Sequence, residues 1–487
     1  MNGAMILYIL GQVLRIEGLL MLPSFFVGLI YGERQGWIYL LMGIVTLVCG
    51  TLMSLKKPKN TMIYLKEGCV STALCWIILS AFGAVPFVLT GEIPRFIDAM
   101  FETVSGFTTT GSSILTDVEA VSHPSLFWRS FTHWIGGMGV LVFLLAVLPM
   151  AGGSQFQLMK AESPGPSVGK LVPKVGATAR ILYIIYFAMT VATIVLLLLG
   201  GMDPFDAVTI SFGTAGTGGF GVKADSCASY STYCIWVITI FMLLFGVNFN
   251  FYYFLTLKRI REAFKIEEVR WYVIIVVAAT VICFVPLLDT LGTFDSLTHA
   301  AFQVATIITT TGFATVDFNL WHSTARTVLV LLMFCGACAG STGGGIKVSR
   351  IIVFVKSAVK EVGSYIHPRS IKRVKVEGRP VEHEAIRSIN VYLTTYVLIF
   401  VLSVFLISLE GKDLVTTFTA VAATINNIGP GLELVGPTAS FAHMTDLSKV
   451  VLIFDMLAGR LELFPMLILF HPTIWKQAFW NKKGGQA

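Results

Sequence analysis

Thr/Gly-rich turns recur four times in this chain, and their residue types suit one kind of chemistry: holding a desolvated cation with backbone oxygen. Residues 96–113 read FIDAMFETVSGFTTTGSS, 204–221 PFDAVTISFGTAGTGGFG, 299–315 HAAFQVATIITTTGFAT and 415–431 VTTFTAVAATINNIGPG. Aligned on Gly111, Gly219, Gly312 and Gly429, the copies lie 108, 93 and 117 residues apart. Phe101 and Phe302 each stand ten residues before their glycine, and Asp98 and Asp206 share an offset of thirteen. A run of inward-facing carbonyls demands backbone dihedrals that L-residues avoid, hence the glycines. A ring of such carbonyls can replace the hydration shell of a monovalent cation. The apolar stretch before each turn suits a short helix whose negative C-terminal end favours positive charge at the same point. A single Thr-Thr-Gly reads more readily as a helix-packing kink. Four copies, each between two long apolar runs, favour turns that converge on one axis.

A second constellation is CGACAGSTGGGIK at 335–347. Gly336, Gly340, Gly343, Gly344 and Gly345, with Ser341 and Thr342 among them and Lys347 beyond, interrupt an apolar run. The G-x-x-x-x-G-K-[ST] spacing of a phosphate-binding loop is absent and no strand precedes the run, so a nucleotide site is excluded. Five glycines in ten residues break the helix midway. The break falls directly after the third turn, just inside the shared axis; a simple kink between packed helices is the other reading. Arg460 is a charge within the last apolar run. Its nearest acids, Asp455 and Glu462, are five and two residues away, not the three or four that meet on a helix face. It either projects toward the axis or pairs with a distant acid such as Glu102. Arg15 with Glu17 reads as structural. Cys335 and Cys338 form a C-x-x-C in apolar surroundings and read as small hydrophobes, while Cys227 and Cys234 share a polar loop in which they could pair. Of eight histidines only His133 lies well within an apolar run, and no H-E-x-x-H supports metal-assisted hydrolysis.

These residues must be positioned by elements that live in a bilayer. Of 487 residues 55% are hydrophobic and 13% charged, against about 25% charged in a soluble protein. That excludes a soluble enzyme, a disordered chain and a disulfide scaffold, and no catalytic role is expected. A span needs ~20 mostly apolar residues. Ten such runs lie near 5–30, 37–55, 68–90, 127–150, 180–200, 233–256, 271–288, 327–358, 389–408 and 448–471. The first lacks a basic leader and reads as a retained span. Most of the 35 basic residues fall in five segments: Lys56–Lys66, Lys160–Arg180, Lys258–Arg270, Lys347–Arg387 and the tail from Lys476. They alternate with acidic loops carrying Glu92, Asp117, Asp203, Asp225, Asp289, Asp317, Glu410 and Glu433. This one-sided bias puts the basic segments and both termini in the cytoplasm. The net charge of +7 thus belongs to loops and is not a nucleic-acid footprint.

At these residues a resemblance becomes specific. FETVSGFTTTG (101–111), TGGF (217–220), ITTTGF (308–313), CGACAGSTGGGIK (335–347), NNIGPGLE (426–433) and MLAGRLELFP (456–465) resemble the TrkH subunits of bacterial Trk potassium uptake systems, within the Trk/Ktr/HKT superfamily. The resemblance covers nearly the whole chain, and the two extra N-terminal spans are similar to the TrkH rather than the shorter KtrB type. It implies an all-α polytopic membrane protein with four tandem helix–pore loop–helix repeats around a pseudo-four-fold pore. The expected units are 1–60 (a helix pair), then repeats at 61–156, 157–266, 267–387 and 388–487. It further implies a potassium filter at Thr109, Thr110, Gly111; Thr217, Gly218, Gly219; Thr310, Thr311, Gly312; and Asn427, Ile428, Gly429. The Gly-rich second copy leaves its register open by one residue. The glycine run with Lys347 and Arg460 is expected to gate conduction. In the family, glycine at all four filter positions goes with potassium preference. K+ is then the transported ion and no organic cofactor is expected. The expected setting is the inner membrane, as a homodimer in lipid, with a cytosolic nucleotide-binding TrkA-type regulatory partner and no nucleic acid. A proton- or sodium-coupled potassium symporter is the alternative.

Overall fold

The computed structural model describes residues 1–60, 62–139, 175–289, 291–367 and 373–474. Among them the chain is helical, apart from one antiparallel hairpin pairing Lys375–Val376 with Arg379–Pro380. α1 (Gly3–Leu20) and α2 (Leu22–Tyr31) make one long apolar stretch, and α3 (Gln35–Ser54) packs beside α1. Glycines set how closely the two approach. A Cβ on Gly11 would lie 2.7 Å from the Gly50 carbonyl oxygen, and one on Gly18 2.6 Å from that of Gly43. In lipid, where apolar contact alone does not drive association, such backbone proximity holds helices together.

Thereafter a long helix, a short helix, an irregular turn and a closing helix follow one another four times. The first set is α4 (Leu65–Thr90), α5 (Phe96–Phe107) and α6 (His123–Gly137). The second is α7 (Val175–Leu199), α8 (Pro204–Gly216), α9 (Thr232–Phe245) and its continuation α10 (Phe249–Thr256). The third is α11 (Glu267–Leu287), α12 (Thr293–Ile308), α13 (Ser323–Cys335) and α14 (Val348–Ile366). The fourth is α15 (His383–Ser408), α16 (Leu414–Ile425), α17 (Asp446–Arg460) and α18 (Phe464–Leu469). Several starts are set locally by side-chain caps. Asp203 accepts the Phe205 amide at 2.9 Å just ahead of Pro204, and Asp413 accepts the Thr416 amide at 2.8 Å. The short helices have 12, 13, 16 and 12 residues. At ~1.5 Å per residue none reaches across the ~30 Å hydrocarbon core. Phe101 and Phe302, matched in the sequence, are both fully buried.

Ten spans are expected from the sequence, one of them (327–358) broken at its glycine run, and the structure shows more breaks than that one. Among the described residues six stretches are long and apolar enough to cross, and the pair α9–α10, bent by 91°, passes the same test only when its two helices are taken together. The difference lies in the closing helices. α6 ends at Gly137, and 140–150 lies outside the described residues. α13 stops at Gly336, and α17 stops at Arg460 before α18 begins. A glycine sits at each stop, and packing explains two of them. A Cβ on Gly136 would collide with the Phe107 carbonyl oxygen and one on Gly459 with that of Ile425. The closing helix thus presses on the end of its own repeat's short helix, and only a residue without a side chain fits there. The basic residues Lys160, Lys170, Lys174, Arg369, Lys372, Lys476, Lys482 and Lys483 lie outside the described residues.

Candidate functional site

The four turns share one backbone conformation. Positive φ occurs at Thr109 and Gly111, at Thr217 and Gly219, at Thr310 and Gly312, and at Asn427 and Gly429, with values from 54° to 105°. Two residues per turn therefore alternate into the left-handed region, which costs a threonine roughly 1–2 kcal/mol. The fourth copy uses asparagine, which tolerates that region. Gly219, rather than Gly218 or Gly221, thus occupies the equivalent position in the second copy.

The turns also meet. A Cβ on Gly111 would collide with the Gly218 carbonyl oxygen, on Gly219 with that of Thr311, and on Gly312 with that of Ile428; on Gly429 it would lie 2.8 Å from the Thr110 oxygen. Each glycine abuts the residue preceding the next glycine, and the fourth returns to the first: the ring is closed. Glycine is required twice over, by its dihedral and by its neighbour's oxygen.

Hydrogen bonds fasten the ring. The hydroxyls of Thr108 and Thr110 lie 2.8 Å apart, as do those of Thr309 and Thr311. Asn427 Nδ2 donates to Thr110 Oγ1 and to the Met456 carbonyl, both at 2.9 Å, and Ser112 Oγ donates to the Gly429 carbonyl at 2.9 Å. Two further supports carry no local sequence signal. His133 Nδ1 lies 2.8 Å from the Gly106 carbonyl, and its Nε2 lies 3.2 Å from the Phe220 amide nitrogen. A carbonyl only accepts and an amide only donates, which assigns the proton to Nδ1. Glu102 and Arg129, both buried, pair at 2.5 Å. The carboxylate accepts the Ile114 amide at 2.8 Å, and the guanidinium donates to the Gly221 carbonyl at 2.8 Å while stacking 3.6 Å over Phe220. This pair joins the outgoing legs of the first two turns. The sequence offers Glu102 only as a distant partner of Arg460 and carries no signal that singles out Arg129.

On one side of the ring a cavity of about 440 Å³ is lined by all four glycines together with Ser112, Ser113, Thr438 and Ser440. Ion pairs tie its surroundings, Lys449 to Asp98 at 2.6 Å and Arg326 to Glu433 at 3.3 Å. Cys227 and Cys234, the pair left open by the sequence, are both free and buried, and burial pushes the Cys227 thiol well above its usual range.

On the other side lies the glycine loop. The Gly344 amide donates to Thr310 Oγ1 at 2.6 Å, and a Cβ on Gly344 would lie 2.5 Å from the Asn426 carbonyl oxygen. A Cβ on Gly343 would lie 2.9 Å from that of Thr309. The loop therefore abuts the entry to the third and fourth turns. Its base is closed by Gly336 against Gly345, both at positive φ. Lys347 donates to the Gly343 carbonyl, and Ser341 Oγ to that of Cys338 at 2.6 Å. Gly340 points away, its carbonyl accepting the Phe249 amide at 2.9 Å. Arg460 reaches across from α17: it donates to Thr342 at 2.9 Å, Gly136 at 2.5 Å and Gly137 at 2.8 Å, all carbonyls. The twelve turn residues thus converge, and Thr342, Gly343, Gly344, Lys347 and Arg460 stand beneath them.

A family profile described as TrkH, cation transport protein, matches residues 39–482. The chain is 34% identical over 481 residues to the Trk system potassium uptake protein TrkH of Vibrio parahaemolyticus, covering 97% of this chain and 99% of that one. It is 34% identical over 475 residues to TrkH of Escherichia coli strain K12, covering 96% and 97%. The crystal structure of the potassium transporter TrkH from Vibrio parahaemolyticus superposes with a TM-score of 0.87 at 32% identity, covering 98% of this chain and all of that one. This chain belongs to the TrkH family of cation transport proteins.

Proposed function

We propose that this chain takes potassium up across the cytoplasmic membrane through the ring of four turns, with the glycine loop and Arg460 as its gate. The closed ring carries the reading. Four short helices end where four strained turns abut, so their negative termini and backbone oxygens act on one small volume. A fourfold ring supports a channel-like path; alternating access would need two inverted halves around one site, so the symporter alternative is not favoured. The relatives it matches along almost their full length are potassium uptake proteins.

The gate follows from position and charge. A guanidinium bonded to three carbonyls beneath the ring is a tethered cation on the path, and a loop rich in glycine rearranges at little steric cost. The chain units are the helix pair 1–60 and the four repeats. By family resemblance the assembly is a homodimer with a cytosolic nucleotide-binding partner, docked on the basic segments 258–270 and 347–387.

The test is ion flux in proteoliposomes holding the purified chain. Gly111→Ser adds a Cβ against the Gly218 carbonyl and should lower potassium/sodium discrimination by more than it lowers protein recovery. An unchanged permeability ratio would show that residues 109–111 do not form the filter.

A further inference from the structure

One carboxylate fastens the glycine loop at both ends. Glu268 is the second residue of α11, and its side chain is buried. Oε1 accepts the Ala339 amide at 2.7 Å and the Ser349 amide at 3.0 Å, the residues just before and just after the stretch 340–348. Oε2 lies 3.5 Å from Asn248 Nδ2, at the break between α9 and α10. Loop backbone is held at that same break, where the Cys338 amide donates to the Gly246 carbonyl at 3.1 Å. An acid in a first helical turn needs no distant partner, since the macrodipole already favours it there. This one instead reaches amides 71 and 81 residues away. Bonds from an amide to a carboxylate are roughly twice as strong as those to a neutral acceptor.

The neighbouring residue faces the cytoplasmic elements. Glu267 pairs with Lys356 of α14 at 2.5 Å and accepts the Glu377 amide, in the turn of the hairpin, at 3.0 Å. The start of α11 is therefore bonded through Glu268 to both ends of the loop, and through Glu267 to α14 and the hairpin. We propose that Glu268 is a positioning residue of the gate: it clasps the loop beneath the ring, and opening requires Ala339 or Ser349 to leave it. The inference rests on the gating reading above. Because Ser349 belongs to the first turn of α14, a pull on α14 from the cytoplasmic side acts directly on this bond.

Potassium flux is measured in proteoliposomes of the full chain without any partner, at equal protein, for the parent, a loop shortened within 340–345, Glu268→Ala and the combination. Glu268→Ala should raise flux about five- to tenfold, within the usual range of a coupling between sites, with potassium/sodium discrimination unchanged. The combination should conduct no faster than the shortened loop. Glu268→Gln keeps one acceptor oxygen without the charge and should fall between parent and Glu268→Ala, a gradation that a purely structural role would not produce. If the shortened loop conducts faster but Glu268→Ala matches the parent, the clasp is overturned and the gate stands. If the shortened loop matches the parent, the gate falls and the clasp with it. Should Glu268→Ala not be recovered folded, Glu268→Asp, one methylene too short to hold both amides, takes its place with the same outcomes.

Discussion

Glu102 and Arg129 are 1% and 3% exposed, and each is the other's buried charge partner at 2.5 Å. Removing one partner of a buried pair leaves an uncompensated charge and typically costs about 3–5 kcal/mol, whereas replacing both can be nearly neutral. Glu102→Gln and Arg129→Met should each lower thermal stability in detergent by that order, and the double variant should recover a large part of the loss. A strictly additive double-mutant cycle would mean that the pair does not act as a unit. Because the same two residues hold Ile114 and Gly221, both single variants should also weaken potassium/sodium discrimination, as Gly111→Ser should by a more direct route.

Among elements, the closing helices decide the most. Each carries a glycine where it stops, and in the third repeat the interruption grows into the loop between α13 and α14. Loop and Arg460 meet beneath the ring, where Arg460 donates to the Thr342 carbonyl at 2.9 Å; in the proposed gate one would obstruct by its backbone and the other by its charge. Shortening the loop within 340–345 should raise partner-free potassium flux and weaken its response to the partner while selectivity stays intact. Arg460→Ala should raise flux as well, since the guanidinium now bonded to Thr342, Gly136 and Gly137 is lost. Stopped-flow or electrical recording on reconstituted protein decides this. A shortened loop that conducts no faster than the parent is a kink and not a gate.

At the scale of the molecule, charge and repeat order give the expected orientation. The cavity lined by the four glycines should face outward and the basic segments inward. Cysteines introduced as Lys57→Cys or Lys265→Cys should react with impermeant reagents only from the cytoplasm, and Asp117→Cys or Asp225→Cys only from outside. Labelling of Asp225→Cys and Lys265→Cys from one side would break the proposed repeat arrangement, because in that arrangement α9 and α10 lie between them and carry the chain across once.

Much of this was legible in the sequence by itself: a bilayer protein, its charge asymmetry, four copies of one turn, and an interrupted span between Cys335 and Lys347. Those features are local or periodic. Apolar run length, glycine at a strained dihedral and basic loops all act within a few residues and leave their mark in one dimension. The tertiary structure alone decided the register of the second turn, which the sequence leaves open by one residue: Gly219 shares the positive φ of the other three glycines and meets the Thr311 carbonyl. It alone brought Arg129 to Glu102, His133 to Phe220, Glu268 to Ala339 and Ser349, and Arg460 to carbonyls of two other repeats, at separations of 27 to 324 residues. It also showed, among the described residues, six continuous apolar spans and closing helices broken at glycines. A hydrogen bond across such distances depends on which helix faces face each other, and that is set by the packing of the whole ring and not by any stretch of chain.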